Sequence, residues 1–382
     1  MRIFRQLSAY SAALLLFGTG LHSQPAPGLT VDIRRQLDDI LATERERLKI
    51  PAVGVAIALN GRVEYVKTLG LADIEQGVPA DDETRFRTAS LAKPLTATAV
   101  MQLVERGAID LDAPIQRYCP AFPEKQWPVT PRLVLGHLAG IRHYTKGEST
   151  GTQHYFTIAD SLALFNNDPL RHQPGTKYEY STFGFSVLGC AIEGASKTSF
   201  AEYLETNVFR RAGMTHSTID DVYQIVPKRA RGYLLLTQAD FKTLPPAAQA
   251  IARPDSIYNA PLHDTSMKLP GGGLISTPTD YARFALALLD GSLVKKTTLE
   301  AMWTSQKTTD GTDTEYGFGF GVVVRNGQMN ATHSGNQAGA SSLVRISPGR
   351  GAAIVIMTNL EGATLSSMAN AMVTVLLRSS GG

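Results

Sequence analysis

Two Asn-Gly dipeptides, Asn60-Gly61 and Asn326-Gly327, lie near opposite ends of this chain, and each follows a strand-like run. Asn-Gly is the strongest short-range hairpin signal, because both residues tolerate the positive φ of a tight turn. Ala52 to Leu59 and Arg62 to Leu69 flank the first pair. Gly317 to Arg325 leads into the second, and Ala340 to Ile346 and Ala352 to Asn359 follow, with Ser347-Pro348-Gly349 as a turn between them. Strands joined by tight turns pair antiparallel. Between the two groups the apolar period changes to that of helices, at 131–139, 159–166, 183–196, 199–211 and 278–290. Val31 to Lys49 and Ala363 to Arg378 predict a helix at each end. The simplest topology places both chain ends in one antiparallel sheet with flanking helices and an inserted, mainly helical region. This predicts an α+β fold with a cleft at the junction. Its sheet part covers about 30–85 and 306–378, and its helical part about 86–305. Thr243 to His263 carries Pro245, Pro246, Pro254 and Pro261 and is expected to be a long surface loop, walling a binding site.

The first 23 residues stand apart. Arg2 and Arg5 precede the mostly apolar stretch Leu7 to Leu21, and Leu21-His22-Ser23 offers a cleavage region. This is the pattern of a secretory leader, and it predicts a periplasmic or extracellular protein with no stable membrane insertion after cleavage. The mature part would be 24–382. Removing two Arg and no acid lowers the formal charge from +3 to +1, which gives no basis for nucleic-acid binding. Export permits a disulfide between Cys119 and Cys190, but their distance along the chain favours two separate buried thiols. Neither lies in a C-x-x-C, and His137, His143 and His154 lack a metal-ligand frame, so no metal or cofactor is expected. Oligomeric state is not legible.

Ser90-Leu91-Ala92-Lys93 is the chemical signal. Thr88 to Arg106 reads as a largely buried helix, with Pro94 in its first turns, where proline is tolerated. Residues three apart share a helix face, so the Lys93 amine can reach the Ser90 hydroxyl. A serine hydroxyl needs such help, and a lysine among apolar neighbours has a lowered pKa and can supply it. The motif alone is weak. With 24 Ser and 13 Lys, about one such tetrad arises by chance, and Ser292-Leu293-Val294-Lys295 is a second. That one follows the Asp290-Gly291 turn in a polar stretch and reads as a decoy.

The context of the first tetrad is more specific. The segment from Arg85 to Ala97, then Tyr180-Ser181-Thr182, then His333-Ser334-Gly335 ahead of a strand occur in one order. In these elements the chain resembles the serine β-lactamase and penicillin-binding-protein superfamily, in its class C and esterase-like branch. His137 to Tyr144 and Gly271-Gly272-Gly273-Leu274-Ile275-Ser276-Thr277 are similar to the mitochondrial serine β-lactamase-like proteins and their bacterial relatives. The resemblance implies Ser90 as nucleophile, with Lys93 and Tyr180 sharing general-base and general-acid work. For base duty, a nearby lysine cation would have to lower the Tyr180 pKa. It also implies an oxyanion hole from the backbone N–H groups of Ser90 and Asn336, and His333 and Ser334 facing the substrate. Gly335 would let the strand approach that substrate closely. The family usually has Asn where Thr182 stands, and threonine lacks the donor–acceptor fork of an amide. The implied activity is hydrolysis of a small-molecule or peptide substrate, an amide or ester, through an acyl-Ser90 intermediate. β-Lactam or D-alanyl-D-alanine hydrolysis is the alternative. A non-catalytic peptide-binding or self-assembling protein on the same fold is an alternative of another class.

Overall fold

A computed structural model describes residues 28–145, 147–325 and 327–379; the leader expected at 1–23 lies outside them. α1 (Val31–Arg47) opens the fold and is capped by the Thr30 side chain, which accepts from the Ile33 N–H. Strands β1 (Ala52–Leu59), β2 (Arg62–Asp73) and β3 (Val78–Pro79) follow. The other strands of the main sheet come from the far end of the chain: β9 (Gly321–Arg325), β10 (Gln328–Gln337), β11 (Ala340–Ser347) and β12 (Ala352–Thr358). The sheet has seven strands in the order β3-β2-β1-β12-β11-β10-β9. Its two groups join where β1 pairs antiparallel with β12, from Val53↔Thr358 to Ala58↔Ala353. All its pairings are antiparallel, and the architecture is α+β, as the hairpin signals predict.

β1 shows why its sequence is apolar throughout. Val53, Val55 and Ile57 join Leu37 and Leu41 of α1 and Met368 and Met372 of the C-terminal helix Ser366–Ser379 in one core. Ala52, Ala56 and Ala58 face the other way, into a larger core shared with the inserted region. The small side chains on that face are a packing requirement. A Cβ on Gly54 would lie 2.9 Å from Pro278 Cγ, at the start of the helix Pro278–Leu289.

In the insert, α2 (Ala92–Glu105) is buried from Ala92 to Leu103. α3 (Thr182–Ser196) packs beside it and is buried from Thr182 to Ile192. A small sheet of β4 (Phe86–Arg87), β5 (Thr218–Ile219) and β8 (Leu274–Ser276) lies at the junction, in the order β4-β8-β5. Several helices are shorter than their apolar periods suggest, such as Pro131–Leu135 and Ile158–Leu162.

Two expectations are corrected. The segment 243–263 is not one loop. It holds a short helix, Pro246–Gln249, and β7 (Ser256–Asn259), which pairs with β6 (Tyr233–Leu236) from Tyr233↔Asn259 to Leu236↔Ser256. Cys119 and Cys190 are joined in a disulfide, with Cα atoms 5.3 Å apart. Gly194 permits this approach, since a Cβ there would lie 1.8 Å from the Tyr118 carbonyl oxygen. The bridge ties α3 to the loop after α2 across 71 residues, and closing a loop of that length contributes roughly 2–5 kcal/mol.

Candidate active site

Ser90 stands on a strained turn between the two parts of the fold. β4 pairs with β8 at Phe86↔Ser276 and Arg87↔Ile275. The N–H and hydroxyl of Thr88 both donate to the Leu274 carbonyl, at 2.9 and 3.0 Å. Ala89 then takes φ 47°, a left-handed conformation that costs a residue with a Cβ, and Ala89–Leu91 form one 3-10 turn entering α2. β10 closes on this turn through Gly335. A Cβ there would meet Ser342 Oγ at 2.4 Å and the Thr88 carbonyl at 2.7 Å. Glycine is therefore needed for the approach of the strand to the nucleophile turn, where the sequence suggested an approach to the substrate.

Lys93 is 0% exposed. Its Nζ lies 3.1 Å from Ser90 Oγ, 3.1 Å from Thr182 Oγ1 and 2.7 Å from the Gly271 carbonyl. Burial pushes its ammonium well below the ordinary lysine value, and the positive charge of Lys268 acts in the same direction. A neutral amine has two N–H donors and one lone pair. In that form, with N–H groups to the Gly271 carbonyl and Thr182 Oγ1, the lone pair is left for the Ser90 O–H. Thr182 thus holds the lysine through its short hydroxyl side chain.

Tyr180 Oη donates to Ser90 Oγ at 2.8 Å. Burial raises its hydroxyl well above the ordinary tyrosine value, and hydrogen bonds with Ser90 and Thr182 only partly offset this. Tyr180 is therefore held as a neutral phenol, and the condition for base duty, a pKa lowered by a lysine cation, is not met. Two histidines fix the backbone after it. The Ser181 N–H donates to His137 Nδ1 at 3.1 Å, and the Thr182 N–H to His143 Nδ1 at 3.2 Å. His137, itself at φ 57°, also packs on the Tyr180 ring at 4.4 Å between centroids.

β10 forms one wall of a cleft of about 440 Å³ that includes Ser90, Tyr180, Thr182, His333, Ser334 and Asn336. The structure therefore brings all the sequence-predicted side chains to one place. β10 has no β9 partner beyond Thr332↔Gly321, so its edge from His333 onward is open to the cleft. Ser334 and Asn336 are exposed there. The Asn336 side chain is held by the Gly362 N–H (2.8 Å) and the Ser341 hydroxyl (3.2 Å).

His333 lines the cleft with both ring nitrogens engaged. Its Nδ1 donates to the Ser334 carbonyl at 2.7 Å, and its Nε2 lies 3.0 Å from the Tyr316 hydroxyl. Because a carbonyl only accepts, the ring is the Nδ1–H tautomer with Nε2 accepting from Tyr316. Burial holds its pKa at about 3, so it is neutral with both nitrogens engaged, and has no donor to offer a substrate carboxylate. Sequence reasoning missed Lys268, Gln337, Tyr178 and Tyr316, which also line the cleft. Of these, Tyr178 stood two residues before Tyr180 and Gln337 directly after Asn336, whereas Lys268 and Tyr316 stood in no motif. Ser292 and Lys295 of the second tetrad are exposed and take no part.

An antiparallel sheet closed by both chain ends, with a buried lysine against a serine where a helical insert joins it, defines a class of active-site serine proteins. The chain belongs to the Beta-lactamase family, whose model matches residues 37–377, and so to a β-lactamase-fold serine hydrolase family. It is 26% identical to the mitochondrial serine beta-lactamase-like protein LACTB of Homo sapiens, over 90% of this chain and 80% of that protein. The penicillin binding protein from Bacillus halodurans has a similar structure, with a TM-score of 0.70 and 25% identity over 88% of this chain and 98% of that one. D-amino acid amidase from Ochrobactrum anthropi SV3, complexed with L-phenylalanine amide, shares the fold, with a TM-score of 0.77 and 23% identity over 92% and 100% of the two chains.

Proposed function

We propose that this protein hydrolyses a peptide, amide or ester through an acyl-Ser90 intermediate, with Lys93 as the base and Tyr180 as the proton donor to the leaving group. One observation carries this reading: Ser90 Oγ lies within hydrogen-bond reach of both a fully buried amine and a neutral phenol. Lys93 takes the Ser90 proton as Oγ attacks the substrate carbonyl. The oxyanion is held by the backbone N–H groups of Ser90 and of Asn336 on the open strand edge. Collapse breaks the bond to the leaving group, which takes the Tyr180 proton, and the Lys93 ammonium restores that proton to the phenol. Water then cleaves the acyl-Ser90 ester by the same proton movements in reverse order of donor and acceptor.

β-Lactams are disfavoured because the Thr182 hydroxyl holds Lys93 and the position offers no carboxamide for the exocyclic amide that a β-lactam carries beside its ring. A secretory leader at 1–23 remains part of the proposal. The Cys119–Cys190 disulfide supports it, since such bonds persist in oxidising compartments. The test of function is time-dependent labelling by a neutral alkyl fluorophosphonate, read as mass added to the intact protein. Wild type is expected to gain one label and Ser90→Ala none. A folded wild type that takes no label, or a label that persists in Ser90→Ala, would sink the reading.

A further inference from the structure

Two buried polar side chains of the cleft take no part in acyl transfer and, among the described residues, have no hydrogen-bond or ion-pair partner. Lys268 ends the 3-10 turn Ser266–Lys268 and is 3% exposed, yet it lines the cleft. Its ammonium lies 5.7 Å from the Tyr144 ring centroid, and among the described residues it donates no hydrogen bond and enters no ion pair. Gln337, 8% exposed, ends β10, and neither its Oε1 nor its Nε2 has a partner. Unpaired polar groups in a buried setting are costly, most of all a charged one.

The charges of Asp220 and Glu361 favour this cation, but neither residue lines the cleft. No Asp or Glu lines it. Burial holds His143 at about 4 and His333 at about 3, so both are neutral at neutral pH. Arg87, whose charge reaches Lys268, is committed to Asp220 at 2.7 Å. Lys268 is itself pushed down to about 8, by burial first and then by Arg87, and so remains mostly protonated at neutral pH.

Position along β10 says which part of a substrate meets these groups. Gly335 is the residue against the nucleophile turn. His333 lies two residues before it, beside Tyr316 and with its ring centroid 6.4 Å from that of Tyr180, which marks the leaving-group end. Gln337 lies two residues after it, about 7 Å along the strand on the other side. Lys268 feels the charge of Glu361, and Glu361 adjoins Gly362, whose N–H is bound to Asn336. Lys268 lines the same cleft, beside the Tyr144 ring and with its Cδ 3.6 Å from where a Cβ on Gly272 would lie.

We propose that the cleft holds an acyl-side subsite for substrates whose acyl group carries a carboxylate, with Lys268 binding the carboxylate and Gln337 pairing with an amide or carbonyl of the same group. The inference rests on the acyl-Ser90 reading and narrows its substrate class. The test is competition at Ser90 in the full-length protein. 4-Nitrophenyl hexanoate and the 4-nitrophenyl monoester of adipic acid, which differ by one terminal carboxylate, each compete with the neutral fluorophosphonate. The readout is the ratio of the two protecting concentrations within each variant, so a common change in reactivity cancels. Wild type is expected to be protected by the adipate ester at about tenfold lower concentration, the worth of one charge-assisted hydrogen bond. Lys268→Met loses most of that preference, and Lys268→Arg keeps it. Equal protection by the two esters in wild type, or a preference that survives in Lys268→Met, overturns the subsite. Failure of wild type to label at all strikes the acyl-Ser90 reading, and the subsite falls with it.

Discussion

Ser90-Leu91-Ala92-Lys93 and Ser292-Leu293-Val294-Lys295 have the same spacing and the same second residue, and they occupy opposite environments. The first enters a helix sealed by β8, α3 and β10, and its lysine is 0% exposed with three oxygen partners. The second is a turn between two helices. Ser292 donates to its neighbour Asp290, and Lys295 sits exposed at the N-cap of Lys296–Met302, its backbone N–H on Glu105 at 2.7 Å. Spacing brings an amine to a hydroxyl only when one helical run carries both. Desolvation, which the tetrad does not encode, is what turns that amine into a base.

The comparison breaks most severely if the lysines are exchanged in importance. Lys93→Met is expected to lower the Ser90 acylation rate by about 10²–10⁴-fold, the usual contribution of a general base, whereas Lys295→Met leaves it unchanged. Equal effects on fluorophosphonate labelling rates would contradict the contrast. Next in size, Tyr180→Phe should slow amide hydrolysis by about 10²-fold and aryl-ester hydrolysis much less. An aryl oxide leaves without a proton and an amine does not, so a uniform loss on both substrates would remove Tyr180 from the donor role. Smaller again is the effect of the scaffold. Cys119→Ser with Cys190→Ser is expected to lower unfolding free energy by roughly 2–5 kcal/mol, measured by urea denaturation. A double variant as stable as wild type would show that α3, and with it Thr182, is positioned without the bridge.

Much of this was legible in the sequence, for identifiable reasons. The two Asn-Gly turns and the runs beside them are local signals, and local signals located the strands of both chain ends. Ser90, Lys93, Tyr180 and His333-Ser334-Gly335 were legible because they lie in short, ordered motifs. What failed depended on long-range contact. β7 is hidden in a proline-rich run because its pairing with β6 is set by register rather than by its own residues. The disulfide depends on Gly194 letting α3 press against Tyr118, which spacing between cysteines cannot reveal. Lys268 stands in no motif, and its meaning comes from a cleft without acidic residues. The partners of His333 were not legible because Tyr316, which occupies its Nε2, lies 17 residues earlier on the loop before β9.

In the proposed reaction, burial depresses the Lys93 pKa so that its amine can take the Ser90 proton. Isotope-labelled lysine NMR, with Lys93 assigned by comparison with Lys93→Met, measures this directly by following its side-chain signals as pH is raised. Lys93 is expected to lose its proton well below the ordinary lysine value of about 10.4, and Lys268→Met to move the titration upward by removing a neighbouring positive charge. An ammonium at Lys93 that persists to about pH 10 would contradict it.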